Sequence, residues 1–150
     1  MLYIVQVQSR DLKRNIVEQI CDLLLPEFRK NGIGDSCNSF EFQHMWDTLL
    51  KGERPAALFL FINDKRVCGL LGGVTFDDPL TGLRYAAEVV WCIDPEYRGM
   101  GWGTKLLQSF ENWAKLNDCS RVVIHVSSRR LSNCVPSEYF PYQIEFLKEL

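Results

Sequence analysis

Histidine is scarce in this 150-residue chain: only His44 and His125 occur, far apart in sequence. The six cysteines form no Cys-x-x-Cys pair, and the two scarcities together argue against a zinc site. Of the six (Cys21, Cys37, Cys68, Cys92, Cys119, Cys134), several sit inside apolar runs, as in "VVWCI" and "RVCGLL". That placement favours a reduced, mostly buried set in a cytoplasmic protein over the loop-clustered disulfides of small secreted scaffolds. Basic charge is not in excess. Lys and Arg number 17 against 19 Asp and Glu, a net charge of −2 that offers no electrostatic footprint for nucleic acid. No apolar run approaches the ~20 residues of a membrane span. The opening "MLYIVQVQSRDL" alternates and carries charge early, so it reads as a strand start rather than a signal peptide. Repeats, low-complexity tracts and linkers are missing too, and residues 1–150 are expected to form one domain.

What is present is an ordinary globular composition, 47% hydrophobic and 24% charged. "LYIVQVQ" (2–8) reads as a first strand. "DLKRNIVEQICDLLLPEF" follows as an amphipathic helix, with Leu12, Ile16, Ile20, Leu23 and Leu24 on one face and Pro26 marking its end. A second helix runs through Phe42, Met45, Trp46, Leu49 and Leu50. Its aromatic stripe reads first as core, while Phe40, Phe42 and Trp46 would also suit the wall of a substrate pocket. The period then changes to that of strands. Residues 56–62 and 66–76 form a hairpin and 83–93 a further strand, before Leu106, Leu107, Phe110, Trp113 and Ala114 mark a third helix from Lys105 on. "RVVIHV" (121–126) is a fifth strand, in which His125 reads as a satisfied core histidine. A short helix near 137–140 and a last strand in "YQIEFLKEL" complete one mixed α/β domain.

The chemistry is concentrated in "DPEYRGMGWGTKLLQSF", where Gly99, Gly101 and Gly103 alternate with Met100 and Trp102 at a helix start. Glycine lets the backbone approach a ligand closely and take positive φ. Successive N–H groups in such a loop make an anion nest, to which the helix adds its positive dipole end. Arg98 can add a charge-assisted bond. A phosphate P-loop requires Gly-Lys-Ser/Thr, whereas this chain has Gly103-Thr104-Lys105 in the reverse order. The dinucleotide fingerprint requires GxGxxG, and the spacing here is GxGxG. A strand, an arginine, a glycine loop and a helix in this order fit a pyrophosphate well, the alternative being a glycine-rich turn needed only for tight packing.

"VVWCIDPEYRGMGWGTKLL" resembles the acyl-CoA-binding motif of the GNAT superfamily of N-acetyltransferases, Arg/Gln-x-x-Gly-x-Gly/Ala, with Arg98, Gly101 and Gly103 at its defined positions. The resemblance implies a mixed, mostly antiparallel sheet flanked by helices, with an abbreviated C-terminal part. It implies acetyl-CoA as cosubstrate, no metal, and an amine acceptor. The CoA pyrophosphate is expected on Arg98, Gly99, Met100, Gly101, Trp102, Gly103 and Thr104. The pantetheine arm is expected to pair with the backbone of Trp91, Cys92 and Ile93, where the fourth strand splays from the fifth. Glu88, just upstream on that strand, is the expected base. Downstream, "NCVPSEYF" is similar to the family's Asn-x-x-Ala-x-x-Leu-Tyr, with Asn133 at the first position. Pro136 replaces the alanine, and Phe140 falls where the tyrosine belongs, so Tyr139 is the expected acid and Tyr142 the next choice. Asp77, Asp78, Asp35 and Glu41 could draw a cationic amine, although solubilising loop charges is the plainer reading. Dimers are common in the family, and "QIEFLKEL" offers a strand for one.

Overall fold

The computed structural model describes residues 1–125, 136–141, 148 and 150. Asn133, Cys134, Tyr142 and nearly all of the expected last strand lie outside the described residues.

Five strands form one sheet in the order β1 (Leu2–Val7), β2 (Ala56–Asn63), β3 (Arg66–Asp77), β4 (Arg84–Ile93), β5 (Arg121–Val123). The first four are antiparallel in sequence order, and β5 joins β4 in parallel. Asp64 and Lys65, both at positive φ (47° and 78°), make the tight turn of the β2–β3 hairpin. β3 is buried on both faces because helices cover both. On one face α1 (Arg14–Lys30) and α2 (Ser39–Lys51) pack over Leu58, Leu60 and Leu70. On the other, α3 (Trp102–Leu116) presses Leu106, Leu107, Phe110 and Trp113 onto Phe59, Phe61 and Leu71. The mixed α/β architecture expected from the sequence is the one observed.

Local readings differ in four places. The first helix continues four residues past Pro26. Pro26 and Asp22 are both exposed, so the Asp22 carbonyl deprived of its i+4 donor faces water, and Phe28 beyond the proline still reaches the core. The third helix starts at Trp102 rather than Lys105, which puts Gly103 inside its first turn. Residues 137–138 form a turn, closed by the Tyr139 N–H on the Pro136 carbonyl at 3.0 Å, where a short helix was expected. Trp46 is a core residue and no pocket wall. It is fully buried, and its ring fills the space above Gly72, 2.5 Å from where a Cβ would stand.

A β-bulge shapes β4. Gly72 pairs with Val90 and Gly73 with Glu88, leaving Val89 without a partner on β3. Beyond the bulge Val90 and Cys92 face the α1–α2 core, while Trp91 and Ile93 face α3. Gly73 is required at this crossing, since a Cβ there would collide with the Ala87 carbonyl and the Phe110 ring. Gly73→Ala is therefore expected to destabilise the fold by about 1–3 kcal/mol in urea unfolding. A loss below roughly 0.5 kcal/mol, the range of an ordinary surface change, would contradict this packing.

Candidate active site

The loop between β4 and α3 is anchored by side chains that turn inward. Asp94 caps the 3₁₀ turn Pro95–Tyr97 by accepting the Glu96 N–H at 3.0 Å, and its other oxygen takes Arg66 at 2.7 Å. The Tyr97 hydroxyl accepts from Asn63 at 2.8 Å, and its ring meets Phe61 edge-on. Trp102 stacks flat on the same Phe61, with centroids 4.2 Å apart and planes 12° apart, while Lys105 lies over its outer face. Two aromatic residues of the loop thus grip one buried phenylalanine. Between them the chain is exposed at Arg98, Gly99, Met100 and Gly101.

Gly99 (φ +77°) and Gly101 (φ +85°) are both left-handed, and open space lies where a Cβ would point. Gly101 is the N-cap of α3. Lys105 N–H makes the first intrahelical bond of that end, to the Gly101 carbonyl at 3.1 Å. The amides of Trp102, Gly103 and Thr104 precede it and have no intrahelical acceptor by construction. Such an end favours an anion by typically 0.3–1 kcal/mol when exposed and up to ~2 when partly buried. The residues present therefore fit a diphosphate held by backbone rather than by side chains.

Arg98 is placed differently from a simple phosphate ligand. Its Nε donates to the Ile93 carbonyl at 3.0 Å, and Nη2 to Glu27 at 2.6 Å. Those two bonds tie the end of β4 and the loop to the last turns of α1. Glu27 is distant in sequence and carries no local signal, so inspection of the chain alone does not find it.

Upstream, β4 pairs with β5 only from Tyr85 to Ala87, opposite Arg121 to Val123. Among the described residues the parallel β4–β5 register stops there. The Cys92 side chain is buried against α1, and those of Trp91 and Ile93 pack toward α3, so what these three offer a ligand is backbone. Glu88 stands where the two strands part. It is 5% exposed, and Oε2 accepts the His125 N–H at 2.9 Å. Burial pushes its carboxyl above the ordinary range, and the bonds from His125 pull it partly back. His125 is not the core residue expected from its apolar strand; its side chain is 56% exposed.

Tyr139 packs on the α3 side and donates its hydroxyl proton to Glu111 at 2.8 Å. Burial, then the neighbouring Glu111 carboxylate, raise its pKa. The structure thus brings Glu88, the end of β4 beyond its described pairing with β5 and the glycine loop onto one continuous stretch of chain, and gives Tyr139 to Glu111. The acidic turn residues are committed locally: Asp77 pairs with Arg84 at 2.9 Å, and Asp78 accepts the Leu80 N–H at 2.8 Å. Among the described residues, no cluster of His, Cys, Asp and Glu could hold a metal ion, and no helix is long and apolar enough to cross a membrane.

Comparison with known proteins agrees with this geometry. The family model described as acetyltransferase (GNAT) family matches residues 17–133. A GNAT family acetyltransferase from Staphylococcus aureus subsp. aureus USA300_TCH1516 has the same fold, with a TM-score of 0.74 at 19% identity over 99% of this chain and 98% of that one. An aminoglycoside acetyltransferase from an uncultured soil metagenomic sample, in complex with sisomicin, gives 0.75 at 16% identity over 99% and 96%. Glucosamine-6-phosphate N-acetyltransferase from Arabidopsis thaliana gives 0.73 at 13% over 99% and 98%. No curated protein sequence matches the chain. The match over residues 17–133 takes in the glycine loop, all of β4 and the fork at Glu88, and the chain belongs to the GNAT family of acetyltransferases.

Proposed function

We propose that this protein transfers an acetyl group from acetyl-CoA to a primary amine, on a small molecule or a protein, by direct attack of the amine. The observation that carries the reading is the exposed turn with left-handed Gly99 and Gly101 that opens the N-terminus of α3, directly continuous with a strand whose pairing with β5, among the described residues, stops at Ala87. When bound, acetyl-CoA supplies an activated thioester carbonyl. Gly99, Met100, Gly101, Trp102, Gly103 and Thr104 hold its pyrophosphate through main-chain N–H groups, and Arg98 shapes the loop from behind. Trp91, Cys92 and Ile93 offer main-chain atoms to the pantetheine arm, a form of strand addition that hardly depends on side-chain identity. Asn133, expected from the resemblance to contact the coenzyme, lies outside the described residues.

The acceptor poses the harder problem. An amine of pKa ~10.4 is neutral in roughly one molecule in 2,500 at pH 7, about 4.6 kcal/mol of unfavourable protonation. A base at the acceptor side is needed, and Glu88 serves it, directly or through its neighbour. A group with its pKa raised toward the working pH suits that task. Tyr139 is the proposed acid for the departing sulfur, since a phenol kept protonated has a proton to give.

One observation favours a second reading, a coenzyme-binding module without turnover: the Tyr139 hydroxyl is already engaged by Glu111. Release of free CoA, followed with a thiol reagent across aminoglycosides, amino sugars and lysine peptides, separates the two. Amine-dependent release supports the transferase. Tight coenzyme binding with no release on any amine supports the module.

A further inference from the structure

His125 belongs to no role that its sequence context suggested, and the structure gives it an unusual pair of bonds. The β4–β5 ladder ends at Ala87 opposite Val123. Immediately beyond, side chains take over from the backbone. The His125 N–H goes to the Glu88 carboxylate, and the His125 ring Nδ1 lies 2.9 Å from the Glu88 carbonyl oxygen. A reciprocal clasp of two residues thus sits at the crotch of the fork.

The clasp decides the chemistry of the ring. A carbonyl oxygen has no proton to offer, so a 2.9 Å contact with Nδ1 is a hydrogen bond only when Nδ1 carries the hydrogen. The neutral imidazole is thereby held as the Nδ1–H tautomer, with its lone pair on Nε2. The ring is 56% exposed, whereas the Glu88 side chain is 5% exposed and has one oxygen occupied by the His125 N–H. Glu88 Oε2 also stands 3.6 Å from Nδ1, a counter-charge already in place for an imidazolium. Among the described residues, Glu88 is the charged group placed against His125.

Resting on the acetyltransferase reading, we infer that His125 Nε2 is the atom that takes the proton of the attacking amine, with Glu88 orienting the ring and balancing its charge. The amine nitrogen forms the C–N bond to the acyl carbon, and the C–S bond breaks with its electron pair passing to sulfur. The nitrogen's surplus proton passes to Nε2. The sulfur takes its proton from Tyr139, and the imidazolium gives up its own through water to the phenolate so formed, which restores the ring as the neutral Nδ1–H form.

The test has two arms. In the first, long-range ¹⁵N–¹H correlation spectra of the coenzyme-free protein report the tautomer, and His125 is expected as Nδ1–H. In the second, His125→Gln is expected to lower kcat by about 10²-fold or more. Its KM for acetyl-CoA is expected to stay within about 3-fold, the pattern of a lost chemical step rather than lost binding. The acid limb of the pH profile vanishes in H125Q and survives in Glu88→Gln at a lower plateau. An Nε2–H ring overturns the assignment. So does an acid limb that vanishes in E88Q and persists in H125Q, which makes the carboxylate itself the acceptor. Wild-type protein that acetylates no amine overturns the transferase reading and the base with it, whereas an Nε2–H ring in an active enzyme overturns the base alone.

Discussion

Gly101→Glu is expected to raise the dissociation constant for CoA by at least about 10²-fold while the protein stays folded. Gly101 caps α3 at φ +85°, and an added Cβ there meets no neighbour within 4 Å in the free protein. The strain of a left-handed non-glycine residue costs roughly 1–2 kcal/mol, which a domain of ordinary stability tolerates. The new carboxylate, however, stands at a helix N-terminus whose free amides attract an anion. It occupies the cradle in place of the diphosphate and repels it by like charge. Gly82→Glu is the matched control: Gly82 also has positive φ (+70°) and open space, but lies in the turn between β3 and β4. It is expected to show similar strain with unaltered CoA affinity. Equal affinity in G101E and wild type, read by calorimetric titration, would refute the loop assignment.

Glu88→Gln is expected to reduce turnover by about 10²-fold at neutral pH with little change in CoA affinity. Glutamine keeps an oxygen for the His125 N–H, so the fork stays closed, but the negative charge is gone. The stability change has a defined sign. Burial raises the folded-state pKa of Glu88, so the folded protein holds this proton more firmly than the unfolded chain does. Relative to E88Q, wild type is then best off in acid. It loses ground as pH rises from the unfolded carboxyl value of about 4.3 through the raised folded value, and the gap is constant above that. Urea unfolding of both proteins at acidic and alkaline pH measures the gap, and a gap independent of pH would mean that the carboxylate is not desolvated.

How much of this was legible in the chain depends on how local each signal is. Leu106, Leu107, Phe110, Trp113 and Ala114 fall on one helical face in the sequence and are the buried face of α3 in the structure. The glycine alternation was readable as a turn at a helix start, where Gly99 and Gly101 take positive φ and Gly101 caps α3. Pro26 misled because it lies on the exposed face of α1, where the turn that loses its bond is open to water and the helix runs on to Lys30. Trp46 could be read as wall or core, since the space it fills is created by Gly72 on another element. Glu27 and Arg98 are 71 residues apart, and no pattern joins them. His125 was hidden by the apolar run before it, which continues up to the residue where the strand ends.

Amide resonances of the protein, followed by NMR as CoA is added, test the central claim most directly. The account predicts that the N–H signals of Gly101, Trp102, Gly103 and Thr104 move furthest, and that those of the β1–β2 edge stay still. If those four amides keep their positions while CoA binds, the diphosphate is held elsewhere and the cradle is not its site.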